Sequence, residues 1–215
     1  MERVSLTDQV VESIRTEILG GELPPGHSLR EQALSDRFDV GRSTIREAIR
    51  VLAAEGLVTQ EHHRGAVVTR HTPADVDDLI AARIMIERHV AGVGVHDGSQ
   101  AQAALERLSR AVAAKDWRAA AEADEVFHLA IVEAVGSPRI SAFHSQVAGE
   151  MRLLLVTAAR HLPEPDKVAE HAKLLRLALS GDSESYLAAA INHVSRSRDI
   201  LVEVAQGVSS PISQI

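Results

Sequence analysis

The sequence predicts a mainly α-helical protein, with an N-terminal winged helix-turn-helix and a C-terminal all-helical bundle. Residues 5–69 contain three amphipathic helical patterns followed by two short β-rich segments, which is the order of elements in a winged helix-turn-helix. From residue 74 onward, apolar residues recur at helical spacing, and no segment alternates as a strand would. We therefore expect two domains, at residues 1–71 and 72–215.

The first two helices are predicted by apolar spacing and by capping residues. Over residues 5–19, aliphatic residues recur at every fourth position: Leu6, Val10, Ile14 and Ile18. Ser5 and Asp8 have the spacing of a capping box, in which a hydroxyl and a carboxylate satisfy free backbone N–H groups at the start of a helix. Ser28 and Glu31 repeat that spacing and predict the start of a short second helix.

The third helix, predicted over residues 43–54, presents two stripes of side chains. The apolar stripe is Ile45, Ala48, Ile49 and Leu52, and the basic stripe is Arg42, Arg46 and Arg50. At about 100° per residue the stripes are centred roughly 110° apart, so one can pack on the second helix while the other projects. The segments LVTQ and AVVT then predict a β-ribbon with Arg64 and Gly65 near its tip.

An arginine stripe held in this way fits the major groove of double-stranded DNA, where a guanidinium fork matches O6 and N7 of guanine. At the ribbon tip, Arg64 and Gly65 suit a wing that approaches the backbone or the minor groove, because glycine lets the main chain come close. A solvated arginine face on an ordinary surface helix explains the same periodicity. The periodicity alone therefore leaves both interpretations open.

The composition restricts the classes of function open to this chain. Its formal net charge is −7, so any surface for nucleic acid must be local. The absence of cysteine excludes disulfides and cysteine-based metal sites, and it fits a reducing, cytoplasmic compartment. The N-terminus lacks the apolar core of a signal sequence and no apolar run approaches about 18 residues, so we expect no membrane span.

The C-terminal domain is expected to begin where Thr72 caps a helix and Pro73 takes its first position, and the breaks that follow predict roughly six helices. Four of its residues form a candidate metal site: Asp124, His128, His171 and His193. One carboxylate and three imidazoles that converge in a bundle would bind a divalent ion such as zinc or nickel and leave positions for water or a ligand. Asp124 and His128 are four residues apart on one helical face, so a simple surface hydrogen bond explains their spacing equally.

In its N-terminal domain the chain resembles the GntR family of bacterial transcription regulators. The matching segments are LRE at residues 29–31, GRSTIREAI at 41–49, EGLV at 55–58 and the wing residues Arg64 and Gly65. The resemblance implies that Arg42 and Arg46 read or clamp an operator, while Ser43, Thr44 and the wing contact the backbone and groove. Gly41 and Thr44 stand where serine and proline are usual in the family. These differences concern which DNA sequence the protein prefers, and they leave the module itself unchanged.

The C-terminal domain resembles the all-helical FCD effector domain of the FadR-like branch of that family. The matches are Asp124 with His128, Glu170 with His171, and Asn192 with His193. The resemblance implies a metal centre and a small carboxylate effector bound at or beside it. Arg83 matches an arginine near the start of that domain and would bind the effector carboxylate, although an intrahelical pair with Glu87 fits its spacing as well.

The expected function is that of a homodimeric regulator, usually a repressor, that binds a palindromic operator and changes its affinity when a metabolite occupies the helical domain. Two alternatives stay open at this point. One is a metal-dependent enzyme, in which Asp124 and the histidines hold an ion that activates water. In the other, the ion is purely structural and the effector binds elsewhere.

Overall fold

The structure, a computed structural model, describes residues 5–62, 64–158, 167–196 and 198–206. The chain divides into two compact units. Unit 1 comprises Met1–His71 and Gly149–Thr157, and unit 2 comprises Thr72–Ala148 and Ala158–Ile215. The second segment of unit 1 is distant in sequence from the first and joins it by packing, since Leu153 is buried in the same apolar cluster as α-helical residues of the first segment.

The first segment of unit 1 has three helices and a two-stranded ribbon, in the predicted order. The helices are α1 (Leu6–Gly20), α2 (Glu31–Phe38) and α3 (Arg42–Ala54), and the strands are β1 (Val58–Glu61) and β2 (Gly65–Val68). The strands are antiparallel, with Val58 opposite Val68 and Glu61 opposite Gly65. The predicted winged helix-turn-helix is confirmed, with each strand shifted by one residue from its predicted segment.

The two predicted capping boxes of unit 1 have different outcomes. At the start of α1, Ser5 Oγ accepts from the Asp8 N–H at 3.1 Å, and Asp8 Oδ2 accepts from the Ser5 N–H at 3.1 Å. Ser28, by contrast, does not cap α2, whose N-cap is Arg30 and has no side-chain hydrogen bond. Ser28 forms an antiparallel bridge with Val67 instead, so pairing with the ribbon holds this segment extended and the predicted second box was wrong.

The core of unit 1 forms between α1, α3 and the ribbon. The four residues of the predicted apolar stripe of α3 are all buried, with Ile45, Ala48 and Leu52 completely so. They pack against Ile14 of α1 and Val68 of β2 in one cluster. The core therefore depends on α3 facing inward along this stripe.

Unit 2 is entirely helical within the described residues. It contains α4 (Pro73–Val93), α5 (Ser99–Ala113), α6 (Trp117–Glu133), α8 (Lys167–Ser180), α9 (Ser183–Ser195), α10 (Arg198–Ala205) and the first part of α7 (Pro138–Ala158). Thr72 caps α4 in a capping box with Asp75, and Pro73 takes the first position, as predicted. The described part of this unit has seven helices rather than roughly six, because α9 ends at Ser195, with Arg196 as its C-cap, and no glycine or proline signals the break.

The core of unit 2 supports the helices that carry the candidate metal residues. Ile86, Leu108 and Phe127 from α4, α5 and α6 are almost completely buried in one cluster. The Phe127 ring is edge-on to His128 and His171, with centroid distances of 5.3 and 4.9 Å, so packing of this ring restricts both imidazoles. Among the residues described, no helix combines the length with the apolar character that spanning a bilayer requires.

Gly149→Ala is expected to destabilise unit 1, because α7 runs against the backbone of Glu55 at this point. A Cβ on Gly149 would lie 1.9 Å from the Glu55 carbonyl oxygen, so one of the two segments would have to move. We expect a loss of about 1–3 kcal/mol in urea denaturation, the usual cost of overpacking. Gly→Ala inside a helix otherwise stabilises, by roughly 0.5–1 kcal/mol.

The matched control for this variant is Gly92→Ala. Gly92 also lies in a helix, α4, but a Cβ there would meet no atom within 4 Å. Gly92→Ala should therefore leave the free energy of unfolding unchanged or raise it. Equal stability of the two variants would show that α7 does not approach Glu55 as closely as described.

Candidate functional site

The arginine stripe of α3 is exposed beside its buried apolar stripe. The side chains of Arg46 and Arg50 are 58% and 74% exposed. Arg42, at the start of the helix, is also exposed. Because the helical period puts the two stripes on adjacent faces, burial of Ile45 and Leu52 directs the arginines outward. The structure thus brings the three arginines to one accessible surface of unit 1.

Each arginine of this stripe donates to a polar side chain of the same unit. The pairs are Arg42 with Gln32, Arg46 with Glu31 at 2.8 Å, and Arg50 with Glu47 at 2.9 Å. Exposed pairs of this kind add little stability, because water solvates both partners. The guanidinium groups are therefore oriented by their neighbours and can still exchange those partners for a phosphate or a base edge.

The other predicted DNA-contacting residues lie at the start of α3 and on the wing. Ser43 and Thr44 are in the first turn of α3, where free backbone N–H groups favour an anion and no acidic residue opposes it. On the wing, the Arg64 side chain is 64% exposed and donates to Glu61 at 3.2 Å. Gly65 has a φ of 75°, a left-handed conformation that glycine adopts without strain.

The four candidate metal residues come together in unit 2. His128 lies on α6, His171 on α8 and His193 on α9, and their nearest ring nitrogens all lie within 4.8 Å of one another. His128 Nε2 is 3.3 Å from His171 Nε2 and 3.2 Å from His193 Nε2. Asp124, one turn before His128, places Oδ1 at 2.9 Å from His171 Nε2. Residues from three helices thus converge on one point.

The hydrogen bonds around this cluster determine which ring nitrogens carry protons. His171 Nδ1 is 2.7 Å from the carbonyl oxygen of Lys167, which can only accept, so Nδ1 holds the proton and Nε2 keeps its lone pair. His193 Nδ1 is 3.4 Å from a carboxylate oxygen of Glu170, which has the same effect on His193 Nε2. Partners of this type orient metal-binding histidines in proteins.

A cation fits this donor set. Asp124 Oδ1 is buried and accepts no hydrogen bond within the described residues. His171 Nε2 and Lys167 Nζ lie 2.9 and 3.4 Å from it. Lone pairs of imidazole nitrogens and of a carboxylate oxygen that point to one place are the groups that coordinate a metal ion. Nitrogen and carboxylate ligands in this number suit zinc or nickel.

Burial favours the neutral form of two histidines of the cluster, His128 and His193. It lowers the pKa of His128 well below its usual value, and the charge of Arg83 lowers it further. Burial is also the largest cause that lowers the pKa of His193, to about 4. Neutral imidazole is the form that binds a metal ion, so these two histidines have the form of metal ligands at neutral pH.

Arg83 belongs to a buried polar network on α4 and α9. Its Nη2 is 2.9 Å from Glu87 Oε1, and Tyr186 donates its hydroxyl to the other oxygen of Glu87. Arg83 and Glu87 are 5% and 3% exposed. The intrahelical pair that the spacing allowed is therefore present. A guanidinium group has five N–H donors, so the pair with Glu87 leaves donors for a second carboxylate.

His144 on α7 is a buried polar residue that the sequence did not single out. It is completely buried, and neither ring nitrogen has a hydrogen-bond partner within the described residues. Burial, and then the charge of Arg83, lower its pKa to about 2. The available signal was its position at helical spacing between Ile140 and Val147, which indicates an inward-facing side chain.

His144 is expected to make the protein less stable as the solution is acidified. Its pKa is about 2 in the folded protein and near 6.5 without burial, so between these values the unfolded chain binds the extra proton. Stability is therefore highest above about pH 6.5 and falls toward lower pH, by up to about 1.4 kcal/mol per pH unit for this residue. Urea denaturation at about pH 7.5 and about pH 5.5 measures this loss. An equal loss in wild type and His144→Leu would contradict the assignment.

Comparison with known proteins shows which family the chain matches. Residues 6–68 match the family described as bacterial regulatory proteins, gntR family, and residues 78–196 match the FCD domain. The chain is 24% identical over 197 residues to the probable D-xylose utilization operon transcriptional repressor of Paenarthrobacter nicotinovorans, covering 90% of this chain and 87% of the relative. It is 26% identical over 216 residues to the HTH-type transcriptional regulator LutR of Bacillus subtilis (strain 168), covering 86% and 95%.

A solved structure supports the same relationship. The crystal structure of a transcriptional regulator GntR from Rhodococcus sp. RHA1 has a TM-score of 0.77 and 25% identity, and the match covers 91% of this chain and 97% of that one. The named relatives are transcriptional regulators, so the family indicates a regulator rather than the metal-dependent enzyme considered above. This chain belongs to the GntR family of bacterial transcriptional regulators and carries the FCD domain after its DNA-binding winged helix-turn-helix.

Proposed function

We propose that this protein is a homodimeric, metabolite-responsive repressor whose affinity for a palindromic operator changes when a small carboxylate binds at or beside a divalent metal ion in unit 2. The observation that carries the proposal is the convergence of Asp124 Oδ1 with the ring nitrogens of the three histidines, in the unit that matches the FCD domain. A buried donor set of this kind has a clear use in ligand binding and no evident use in DNA contact.

The operator is read by α3. Arg42, Arg46 and Arg50 project from one face, and each can exchange its present partner for a guanine edge or a phosphate. Ser43 and Thr44 contact the phosphate backbone at the helix start, and Arg64 with Gly65 brings the wing to the adjacent groove. Two copies related by a two-fold axis present two such helices to the half-sites of a palindrome.

Asp124, His128, His171 and His193 hold the ion, which is zinc or nickel, and leave coordination positions for an effector. When bound, the ion supplies a positive charge and a Lewis-acidic site for a carboxylate oxygen. Glu170 and the Lys167 carbonyl fix the orientation of two of the imidazoles. The protein itself contributes the ring nitrogens of the three histidines and the carboxylate of Asp124.

Arg83 binds the effector carboxylate through the N–H donors that Glu87 leaves available. The charge of Arg83 is among the causes that lower the pKa of both His128 and His193. Binding shifts the operator affinity only if the effector prefers one of two arrangements of the protein. The relative from Paenarthrobacter nicotinovorans is described as a repressor, which favours repression here.

Fluorescence anisotropy with duplex DNA from upstream of the protein's own gene tests the proposal. The purified full chain, loaded with zinc or nickel, should bind one duplex specifically, and a member of a panel of small carboxylic acids should change that affinity. The response should be lost in Arg83→Leu while binding of the duplex itself is retained. Specific binding that no carboxylate changes would contradict the effector part, and absence of any specific duplex would contradict the whole.

A further inference from the structure

The four arginines proposed to contact DNA differ in the kind of side chain that holds them. Arg46, Arg50 and Arg64 each donate to a carboxylate, at 2.8, 2.9 and 3.2 Å. The partner of Arg42 among the described residues is a neutral amide, because its Nη2 donates to Gln32 Oε1. This contact orients the Arg42 guanidinium group without compensating its charge.

Gln32 is itself held by a second hydrogen bond on α2. It lies in the first turn of this helix and is exposed, because burial of Leu34 turns the opposite side of the helix outward. Its side-chain nitrogen donates to Asp36 Oδ1 at 2.6 Å, one turn further along. A guanidinium group only donates and a carboxylate only accepts, so the amide takes this one orientation between Arg42 and Asp36.

The charge of the partner matters at this place because Arg42 is the first residue of α3. The first turn of α3 carries no acidic residue. The N–H groups at a helix start carry partial positive charge, which adds to that of Arg42. A carboxylate in place of the Gln32 amide would cancel the charge of Arg42 and would repel the DNA backbone.

We propose that Gln32 is a positioning residue for DNA recognition, which directs the guanidinium group of Arg42 toward one base pair and leaves its full charge available to the DNA. The inference rests on the proposed reading of the operator by α3. It adds a residue of α2 that acts through Arg42 rather than by touching a base itself.

A fixed guanidinium group favours base recognition because a bidentate contact requires both the position and the plane of the fork. The group has five N–H donors, so Arg42 can also keep Gln32 while its remaining donors form the fork. A long side chain loses conformational freedom on binding, and a partner that already holds it reduces this cost. Without Gln32, the attraction of Arg42 to phosphates persists, whereas its discrimination between base pairs falls.

Anisotropy titrations with two duplexes test the role of Gln32. The probes are a duplex that the wild-type full chain selects from a random pool and a scrambled duplex of the same composition. Gln32→Ala should lower the ratio of specific to scrambled affinity roughly fivefold, the worth of one hydrogen bond, and leave the salt dependence unchanged. Gln32→Glu compensates the charge of Arg42, so it should weaken binding of both duplexes and make the slope of log affinity against log salt shallower by about 0.9.

Gln102→Glu is the matched control for the added charge. Gln102 is also an exposed glutamine whose side-chain nitrogen donates to a carboxylate four residues further on, that of Glu106, at 3.2 Å. It lies on α5 in unit 2, so Gln102→Glu should leave both affinities and the salt slope unchanged. If it weakened binding as much as Gln32→Glu, net charge alone would explain the effect and the inference would be overturned.

A double-mutant cycle separates positioning from direct contact with the DNA. If Gln32 acts through Arg42, Gln32→Ala should have no further effect on the affinity ratio in a chain that already carries Arg42→Ala. If Gln32 contacts the DNA itself, the effects of the two substitutions should add, and the positioning role would be wrong.

The results distinguish this inference from the proposed function. An unchanged ratio in Gln32→Ala, together with a lowered ratio in Arg46→Ala, would overturn the role of Gln32 and retain the reading of the operator by α3. If the wild type selects no duplex from the pool, the proposed function and the role of Gln32 are both overturned.

Discussion

Arg46→Ala is expected to weaken binding of the operator roughly five- to 150-fold, because a guanidinium fork on a guanine contributes about 1–3 kcal/mol. Arg46 is well placed for this, since its side chain projects from the middle of α3 and its partner Glu31 is itself exposed. Losing the fork should reduce the affinity for the specific duplex more than that for a scrambled duplex, because base contacts carry sequence information. Anisotropy titrations of both duplexes at one salt concentration measure the two effects.

Two further variants make this result interpretable. Arg46→Lys keeps the charge and loses the planar fork, so it should reduce the ratio of specific to scrambled binding while the salt dependence stays near that of the wild type. Arg107→Ala removes the same charge from an exposed position on α5 and should bind as the wild type does. If Arg107→Ala weakened binding as much as Arg46→Ala, overall charge rather than α3 would explain the affinity.

Zinc or nickel is expected to raise the melting temperature of metal-free wild-type protein by about 5–11 °C. An ion at 100 times its dissociation constant adds about 2.7 kcal/mol of stability, and a chain of this size shifts by roughly 2–4 °C for each kcal/mol. In His171→Ala the shift should be close to zero, because the ring nitrogen nearest to Asp124 is gone. Thermal unfolding of chelator-treated protein, with and without added metal, measures this difference.

The metal-induced shift is the decisive quantity, since His171 is completely buried and its removal leaves a cavity that lowers the melting temperature by itself. Asp124→Asn keeps the shape of the side chain and removes its charge, so it should lose most of the shift with a smaller cavity effect. His96→Ala, an exposed histidine, should respond to metal as the wild type does. An equal shift in His171→Ala and wild type would show that the ion binds elsewhere.

The same variants decide whether the ion is structural or part of the response. If Asp124→Asn melts lower but its operator binding still responds to a carboxylate, the ion serves stability alone and the effector binds at another site. If the variant remains folded and the response is lost, the ion takes part in effector binding. The second result is the one that the proposed function predicts.

The elements that could be predicted from the sequence are those that depend on near neighbours along the chain. The two stripes of α3 follow from the helical period, and the buried and exposed faces lie where that period puts them. The capping boxes of Ser5 and Thr72 involve residues three positions apart and form as predicted. Ser28 had the same local spacing, but its backbone pairs with Val67, so a distant strand overrode the local preference.

The candidate metal site could be predicted only in part from residues that are near neighbours along the chain. Spacing placed Asp124 and His128 on one helical face, while the resemblance to the FCD domain supplied His171 and His193 as their partners. The structure brings their ring nitrogens together and shows the hydrogen bonds that turn two lone pairs inward. Which nitrogen holds the proton depends on a carbonyl and a carboxylate whose positions no sequence pattern specifies.

The sequence by itself determined the class of fold and the exposed arginine face of α3, because both follow from periodicity. The residues that would hold a metal are predicted by the resemblance to the FCD domain. Only the tertiary structure decided that the Tyr186 hydroxyl donates to Glu87, 99 residues away, and that His144 is buried with no hydrogen-bond partner among the described residues. The physical reason is that hydrogen bonds and electrostatic fields act through space. Residues far apart in the chain therefore determine which atoms of a site carry protons and which atoms have hydrogen-bond partners.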